Sequence, residues 1–364
     1  MADFTKLKYG GWVAPNIYYL GEFGSLWFKG IQITGWSGIF NYHSFVNQSV
    51  QMEKVPFDSS EIRSVYHTKL QAFAKMYMMN HDMDVVMSHD WPVGIERYGD
   101  AQKLLKMKPF FKEDIKSGKL GSPLNKFLLG YLRPKLWCSA HLHVKFEATI
   151  KRDSGKVNEN ELELDMDDEE EVKNKEEIAL DMDDEEEKEG KVGFEETFHF
   201  VQQNGSKKLK SELTPQRGPC DHDTKFLALD KCGKRRNFLQ IETIDVTHPA
   251  HPSFTQDKLY YSKRAIAINR VVEAYLQDHK QEFLQIDTKE IVHNPQNFPL
   301  VNELMKLVDL EFKKLSALKD EEFAVPENFQ IVAPVEYNNE LKYYPNNQTQ
   351  EYCEKFNIPA PNYL

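Results

Sequence analysis

The sequence is poor in cysteine. Four occur among 364 residues, Cys138, Cys220, Cys232 and Cys353, and no two show a paired spacing. That argues against a disulfide framework and makes a reduced, intracellular protein the default. Long apolar runs are missing as well. No stretch approaches the roughly 18 consecutive apolar residues of a membrane span, so no membrane association is expected. The opening residues, Met1–Trp12, lack the apolar core of a secretory signal. What the chain does have is a hydrophobic content of 40%, enough for one large or two ordinary domains with a real core.

The formal net charge of −11 is unevenly spread. Between Asn158 and Gly190 lie eighteen acidic residues and three lysines, a local net of −15, so the rest of the chain carries about +4. The acidic stretch contains a tandem repeat, Leu164–Glu171 and Leu180–Glu187, both reading LDMDDEEE. Such charge density with so little apolar area does not offset the entropy of ordering, and residues from about Lys151 to Asp223 are expected to be a disordered insertion. The mildly basic remainder is compatible with a polyanionic partner.

The hydrophobic pattern predicts an α/β chain. Asn16–Leu20 reads as a strand, and Ser25–Phe28 with Ile31–Trp36 reads as a hairpin around Lys29-Gly30. Phe40–Pro56 is an aromatic, polar loop without a period. A helix is expected from Asp58, with Glu61 completing a capping box and Ile62, Val65, Tyr66, Leu70, Phe73 and Tyr77 on its apolar face. Further strands are expected at Asp84–Ser88, Leu136–Ala140, Val144–Ile150, Lys225–Asp230 and Asn237–Ile244. Helical stretches lie between Gln102 and Lys119 and from Ser122 to Leu132. After Ser253 the pattern turns helical, with amphipathic segments at Ala265–Leu276 and Leu300–Leu318. Ala324–Leu364 reads as irregular.

Two histidine clusters follow strands. His89 comes after Val85–Ser88, and His141 and His143 come after Leu136–Ala140. Open α/β sheets place their sites at carboxyl ends of strands. If His141 and His143 continue in extended conformation, their side chains point roughly the same way, and each offers a neutral imidazole to a metal. A single histidine at a strand end is more often structural than a ligand; the H-x-H pair is the more telling signal.

The flanking residues sharpen this. Ser88-His89-Asp90-Trp91-Pro92 followed by Ser139-Ala140-His141-Leu142-His143 resembles the later histidine motifs of the calcineurin-like metallophosphoesterases. Longer strings resemble the RNA lariat debranching enzymes within that superfamily, most closely the fungal ones. They include Tyr9–Ala14, Trp27–Ile31, Leu104–Phe111, Lys119–Pro123 and Phe226–Cys232, in family order over residues 9–240. The resemblance implies a metallophosphoesterase-type β-sandwich flanked by helices, incomplete at its N-terminus. It places this domain at 1–150, the acidic insertion at 151–223, the last strands at 224–249 and a C-terminal helical domain at 250–364.

The resemblance also implies the activity: hydrolysis of the 2′–5′ phosphodiester at the branch of lariat intron RNA. Two divalent metals (iron, zinc or manganese), about 3.5–4 Å apart, would activate a water and stabilise the leaving oxygen. His89 and His141 would ligate one metal and His143 the other. The family's Cys-x-His or Asp-x-His, Gly-Asp and Gly-Asn-His-Glu motifs are expected before Tyr9 and are not found there. The expectation is a truncated start that omits the catalytic histidine, an inactive chain, and apolar faces left uncovered. Asn80-His81-Asp82 and Cys220-Asp221-His222 are chance likenesses to the missing motifs. Tyr42, His43, Tyr66 and His67 fall in or beside the segment that resembles the family's lariat recognition loop, and are the substrate-binding candidates. Lys103, Lys106, Lys108, Lys112, Lys231, Lys234, Arg235 and Arg236 are candidates for phosphate contact. A nuclear monomer, with a spliceosome-associated partner, is the corresponding cellular expectation. The alternative is a non-catalytic RNA-binding or degenerate relative.

Overall fold

The computed structural model describes residues 7–47, 66–81, 83–152, 222–331 and 346–361. These belong to one compact unit. The expected helix start at Asp58 to Val65 and the acidic repeats lie outside them. Among the described residues no helix is long and apolar enough to cross a membrane.

A small antiparallel hairpin, Gly11–Ala14 (β1) and Ile17–Tyr19 (β2), stands apart from the main sheet. Strands Phe23–Phe28 (β3) and Ile31–Trp36 (β4) form the expected hairpin. Its turn residues Lys29 and Gly30 both have positive φ, the two-residue turn that matches strand twist. Val85–Ser88 (β5), Leu136–Ser139 (β6) and Thr224–Ala228 (β8) run parallel to β4 in the order β4-β5-β6-β8. Phe146–Ile150 (β7) closes one edge and Tyr260–Tyr261 (β9) the other, both antiparallel, giving a mixed sheet of seven strands. The architecture is α/β, as the alternation of elements predicts. The described residues form this sheet and the small hairpin; the sheet's last strand comes from beyond residue 250.

One face of the sheet is fully covered. Thr34, Val86, Trp137 and Phe226 alternate onto it and are at most 1% exposed. Helices Leu70–Tyr77 (α2) and Pro123–Leu132 (α5) contribute to the same core. Ser122 caps α5, accepting from the Asn125 N–H, with Pro123 in the first turn, as the sequence predicts. The short helix Tyr42–Val46 (α1) precedes α2, and Ala101–Met107 (α3) and Phe111–Lys116 (α4) lie between α2 and α5. The C-terminal part is helical: Lys263–Asp278 (α6), Lys280–Leu284 (α7), Thr288–His293 (α8), Pro299–Ser316 (α9) and Asn347–Phe356 (α10).

Three expectations are corrected. The helix carrying Phe73 begins at Leu70, because the Tyr66 carbonyl and Thr68 N–H are taken by Ile39 (2.8 and 2.9 Å), which holds residues 66–68 extended. Asn237–Ile244 is not a strand: residues 238–247 make no backbone–backbone hydrogen bond among the described residues. Gln240 instead reaches Glu147 on β7, and Leu239 and Ile241 stand 76% and 92% exposed. The C-terminal end is not wholly irregular, since Asn346 caps α10 and Thr349, Tyr352, Cys353 and Phe356 form its buried face.

A buried ion cluster fastens the C-terminal helices to the rest. Glu273 on α6 accepts from Lys8 (3.2 Å), Lys75 on α2 (2.6 Å) and Gln71 (2.7 Å), all at most 7% exposed. Burial alone would raise the Glu273 carboxyl, but the Lys75 and Lys8 ammonium groups outweigh it and hold the group down to about 2. A depressed carboxylate contributes stability above its ordinary value near 4.5, and that contribution is lost as pH falls toward 2. Glu273→Gln should therefore cost about 3–5 kcal/mol at pH 7, since it removes the carboxylate that both buried ammonium groups contact directly. Urea unfolding between pH 7 and 2 should also show a shallower acid loss for the variant than for the wild type. Parallel pH profiles would contradict this role.

Candidate functional site

The site is built on a turn that holds the ends of β5 and β6 together. The Asp90 carbonyl accepts from Ser88 Oγ (2.7 Å), Ser139 Oγ (3.0 Å) and Asn125 Nδ2 (2.9 Å). Trp137 Nε1 donates to Ser88 Oγ at 2.9 Å, with Ser139 Oγ at 3.1 Å. Asn125 in turn accepts from Trp36 Nε1 (2.9 Å), so α5 links β4 to the turn that joins β5 and β6. The fully buried Trp91 donates to the Ala140 carbonyl (2.9 Å) and stacks on Phe146, with Phe226 edge-on. The loops after β5 and β6 are thereby locked from below, and their histidines stand above a rigid floor.

His89 Nε2 and His141 Nδ1 lie 3.1 Å apart. Two nitrogens bound to one ion at about 2.0–2.1 Å have a separation of this order, so the pair fits as two ligands of a single metal. Desolvation holds both rings below the ordinary histidine value, reinforced at His89 by His141 and at both by His143. The neutral imidazole this favours is the ligand form. His141 Nε2 faces Asp90 Oδ1 at 3.6 Å, the side on which a carboxylate orients a ligating histidine. Asp90 was not among the candidates read from the sequence; a carboxylate beside a histidine is too common a pair to single it out. Burial raises its carboxyl to about 6.

The expected extended run through His141 and His143 is corrected. Both have positive φ (55° and 48°), and the Leu142 N–H donates to the Ala140 carbonyl (2.7 Å), closing a tight turn around His141. Left-handed non-glycine residues cost energy and persist where the surroundings over-determine them. Here Trp91 and the Ala140–His89 backbone bond (3.0 Å) do so. His143 stays on the surface, near enough to act on both other rings. Among the described residues no group of three or more His, Cys, Asp or Glu side chains is placed to hold a metal.

The substrate candidates gather beside this pair. The Phe40 N–H donates to Asp90 Oδ2 (2.5 Å), tying the start of the loop to the site. Asn41 caps α1, which carries Tyr42 and His43. His67 Nδ1 pairs with Ser44 Oγ (2.8 Å), so the Tyr66–His67 segment joins the same loop, and burial lowers the His67 ring. Tyr66 is 41% exposed and is not on a helix, so it does not lie on the apolar helix face expected for it. The chance likenesses have structural partners: His81 Nδ1 bonds the Tyr131 carbonyl and His222 Nε2 the Arg133 carbonyl. Lys103, Lys106, Lys112, Lys231, Lys234 and Arg235 are exposed and Lys108 partly so, whereas Arg236 donates to Asp230.

A family profile described as the lariat debranching enzyme C-terminal domain matches residues 221–361. The lariat debranching enzyme of Saccharomyces cerevisiae is 38% identical over 259 residues, covering 67% of this chain and 56% of that protein. The enzyme of Gallus gallus is 32% identical over 363 residues, 98% of this chain and 54% of its own length. The chain belongs to the lariat debranching enzyme family. That of Schizosaccharomyces pombe is 27% identical over 343 residues, covering 90% of this chain and 71% of its own. The chain spans about half the length of the first two of these relatives. The profile match shows that the family likeness continues through the C-terminal helices, where the sequence strings alone were loose.

Asn125→Ala should cost about 1–3 kcal/mol, because it strands the buried Trp36 indole and weakens the Asp90 turn. Denaturant unfolding checks this, and a change below about 0.5 kcal/mol would mean the bridge carries no load.

Proposed function

We propose that this chain carries the branch-hydrolysing function its relatives are named for: cleavage of the 2′–5′ phosphodiester in lariat RNA. The observation that carries the reading is the His89–His141 nitrogen pair at the carboxyl ends of parallel strands, with the Tyr42/His43 and Tyr66/His67 loop bound to the adjacent Asp90. His89 and His141 would hold one divalent ion and His143 a second. Bound ions would supply a hydroxide near neutral pH and charge stabilisation for the leaving oxygen. Asp90 would keep His141 Nδ1 turned toward His89. The aromatic and histidine side chains of the loop would take the unpaired bases at the branch by stacking and edge hydrogen bonds. Imidazole ligands suit iron, zinc and manganese alike. A nuclear location would follow from such a substrate.

These 364 residues by themselves are expected to bind rather than turn over. The described histidines bring no bridging carboxylate between two ions, and Asp90 Oδ2 is already committed to Phe40. Titration calorimetry with Zn2+ or Mn2+ should give a site weakened at least about tenfold by His89→Ala or His141→Ala. A 2′–5′ branched trinucleotide should bind more tightly than its linear isomer, and Tyr42→Ala with His67→Ala should close the gap. Equal affinity for branched and linear RNA would contradict the substrate assignment. Turnover above the His141→Ala level would contradict the expected inactivity.

A further inference from the structure

We propose that the surface made by the 3-10 turn Ile95–Tyr98, α3 and α4 is a second RNA contact, one that holds an unpaired strand flanking the branch. The inference rests on the RNA reading above and adds to it a surface outside the histidine site.

The first observation is charge. Residues 95–119 contain seven basic and four acidic side chains in a chain whose overall charge is −11, and one of the acids, Glu96, is buried. Two of the exposed acids have partners. Asp100 accepts from the Lys103 N–H (2.8 Å) as the cap of α3, and Glu113 lies 3.8 Å from Lys116. On α3, Lys103, Lys106 and Met107 share the outward face while Leu104 is buried, so the lysines are directed to solvent by the helix itself.

The second observation is independent of charge. Tyr98 is 53% and Phe110 66% exposed. Phe110 stands edge-to-face on the buried Phe111 (ring centroids 4.7 Å), which gives it a fixed base, and the Lys108 ammonium lies 5.6 Å from its ring centre. An exposed phenylalanine braced in this way, with a lysine beside it, is the arrangement that stacks a nucleic-acid base while cations follow the backbone. A duplex hides its base faces, so the fit is to a single strand. An acidic peptide would use the lysines and leave the ring unused.

The third observation is position. The turn begins at Ile95, shortly after His89 in sequence, and Gly99 bridges Ala148 of β7. The surface is therefore tied to the edge strand β7, which β8 separates from the histidine-bearing β6. Strand extending from a branch held at the histidines would reach it.

Fluorescence anisotropy on the full chain tests this, with an unbranched oligouridylate and a 2′–5′ branched trinucleotide as probes. Tyr98→Ala with Phe110→Ala should weaken oligouridylate binding about tenfold or more. Phe110→Tyr should retain it, and both variants should leave the trinucleotide, too short to reach, unchanged. Lys103→Glu with Lys106→Glu should weaken oligouridylate and flatten its salt dependence. Unfolding midpoints equal to the wild type confirm that these exposed changes leave the fold intact. Unaltered oligouridylate affinity in the aromatic variants, or an RNA duplex that competes as well as the single strand, overturns the proposal and leaves the branch reading standing. Wild-type protein that binds neither probe overturns both.

Discussion

The fold turns on one buried carboxylate. Glu273 draws together the segment before the first hairpin, the helix behind the sheet and the long C-terminal helix, through Lys8, Lys75 and Gln71. Each ammonium group also lies against the Tyr9 ring, at 5.7 Å for Lys8 and 5.4 Å for Lys75. Buried charges with almost no solvent are tolerable only if cations and anions stay in register, and the Glu22 carboxylate acts on both lysines as well. The same region stacks Tyr9 on Tyr352 of α10, so the segment before β1 packs against the last helix. The C-terminal helices are therefore part of the same body as the sheet; Tyr260 and Tyr261 even supply its last strand.

That body presents a rigid edge at the carboxyl ends of its parallel strands. The Asp90 carbonyl gathers three side-chain donors, and Trp91 fills the space beneath Ala140. A rigid floor allows two left-handed histidines to persist and sets the nitrogen spacing of His89 and His141 before any ion arrives. Preorganisation of this kind is what a metal or substrate site needs from its scaffold. The Asp90 side chain extends the arrangement sideways to Phe40, so the histidine pair and the loop of Tyr42, His43, Tyr66 and His67 share one support.

Much of this was legible in the sequence. The short apolar runs Val85–Met87 and Leu136–Cys138 are why β5 and β6 were evident, although only one face of them is fully buried. Ser122-Pro123 announces its helix by cap chemistry alone. The H-x-H spacing and its flanking residues pointed to the right loops. The failures share a cause, since each depends on a partner distant in the chain. Residues 66–68 look helical until Ile39 captures their backbone. Asn237–Ile244 alternates like a strand, yet alternation does not supply a neighbour to pair with. The turn at His141 follows from Trp91, some fifty positions away, and Asp90 acquires its role only when Phe40 and His141 converge on it. The last helix was hidden by its Asn- and Pro-rich approach, although Tyr352, Cys353 and Phe356 already carried helical spacing.

The most direct test of the account is anomalous diffraction from crystals grown with Zn2+ or Mn2+. The account predicts a peak within about 2.0–2.2 Å of both His89 Nε2 and His141 Nδ1. Peaks confined to other histidines, with the His89–His141 gap empty, would show that the pair is a structural contact and would remove the foundation of the proposed chemistry.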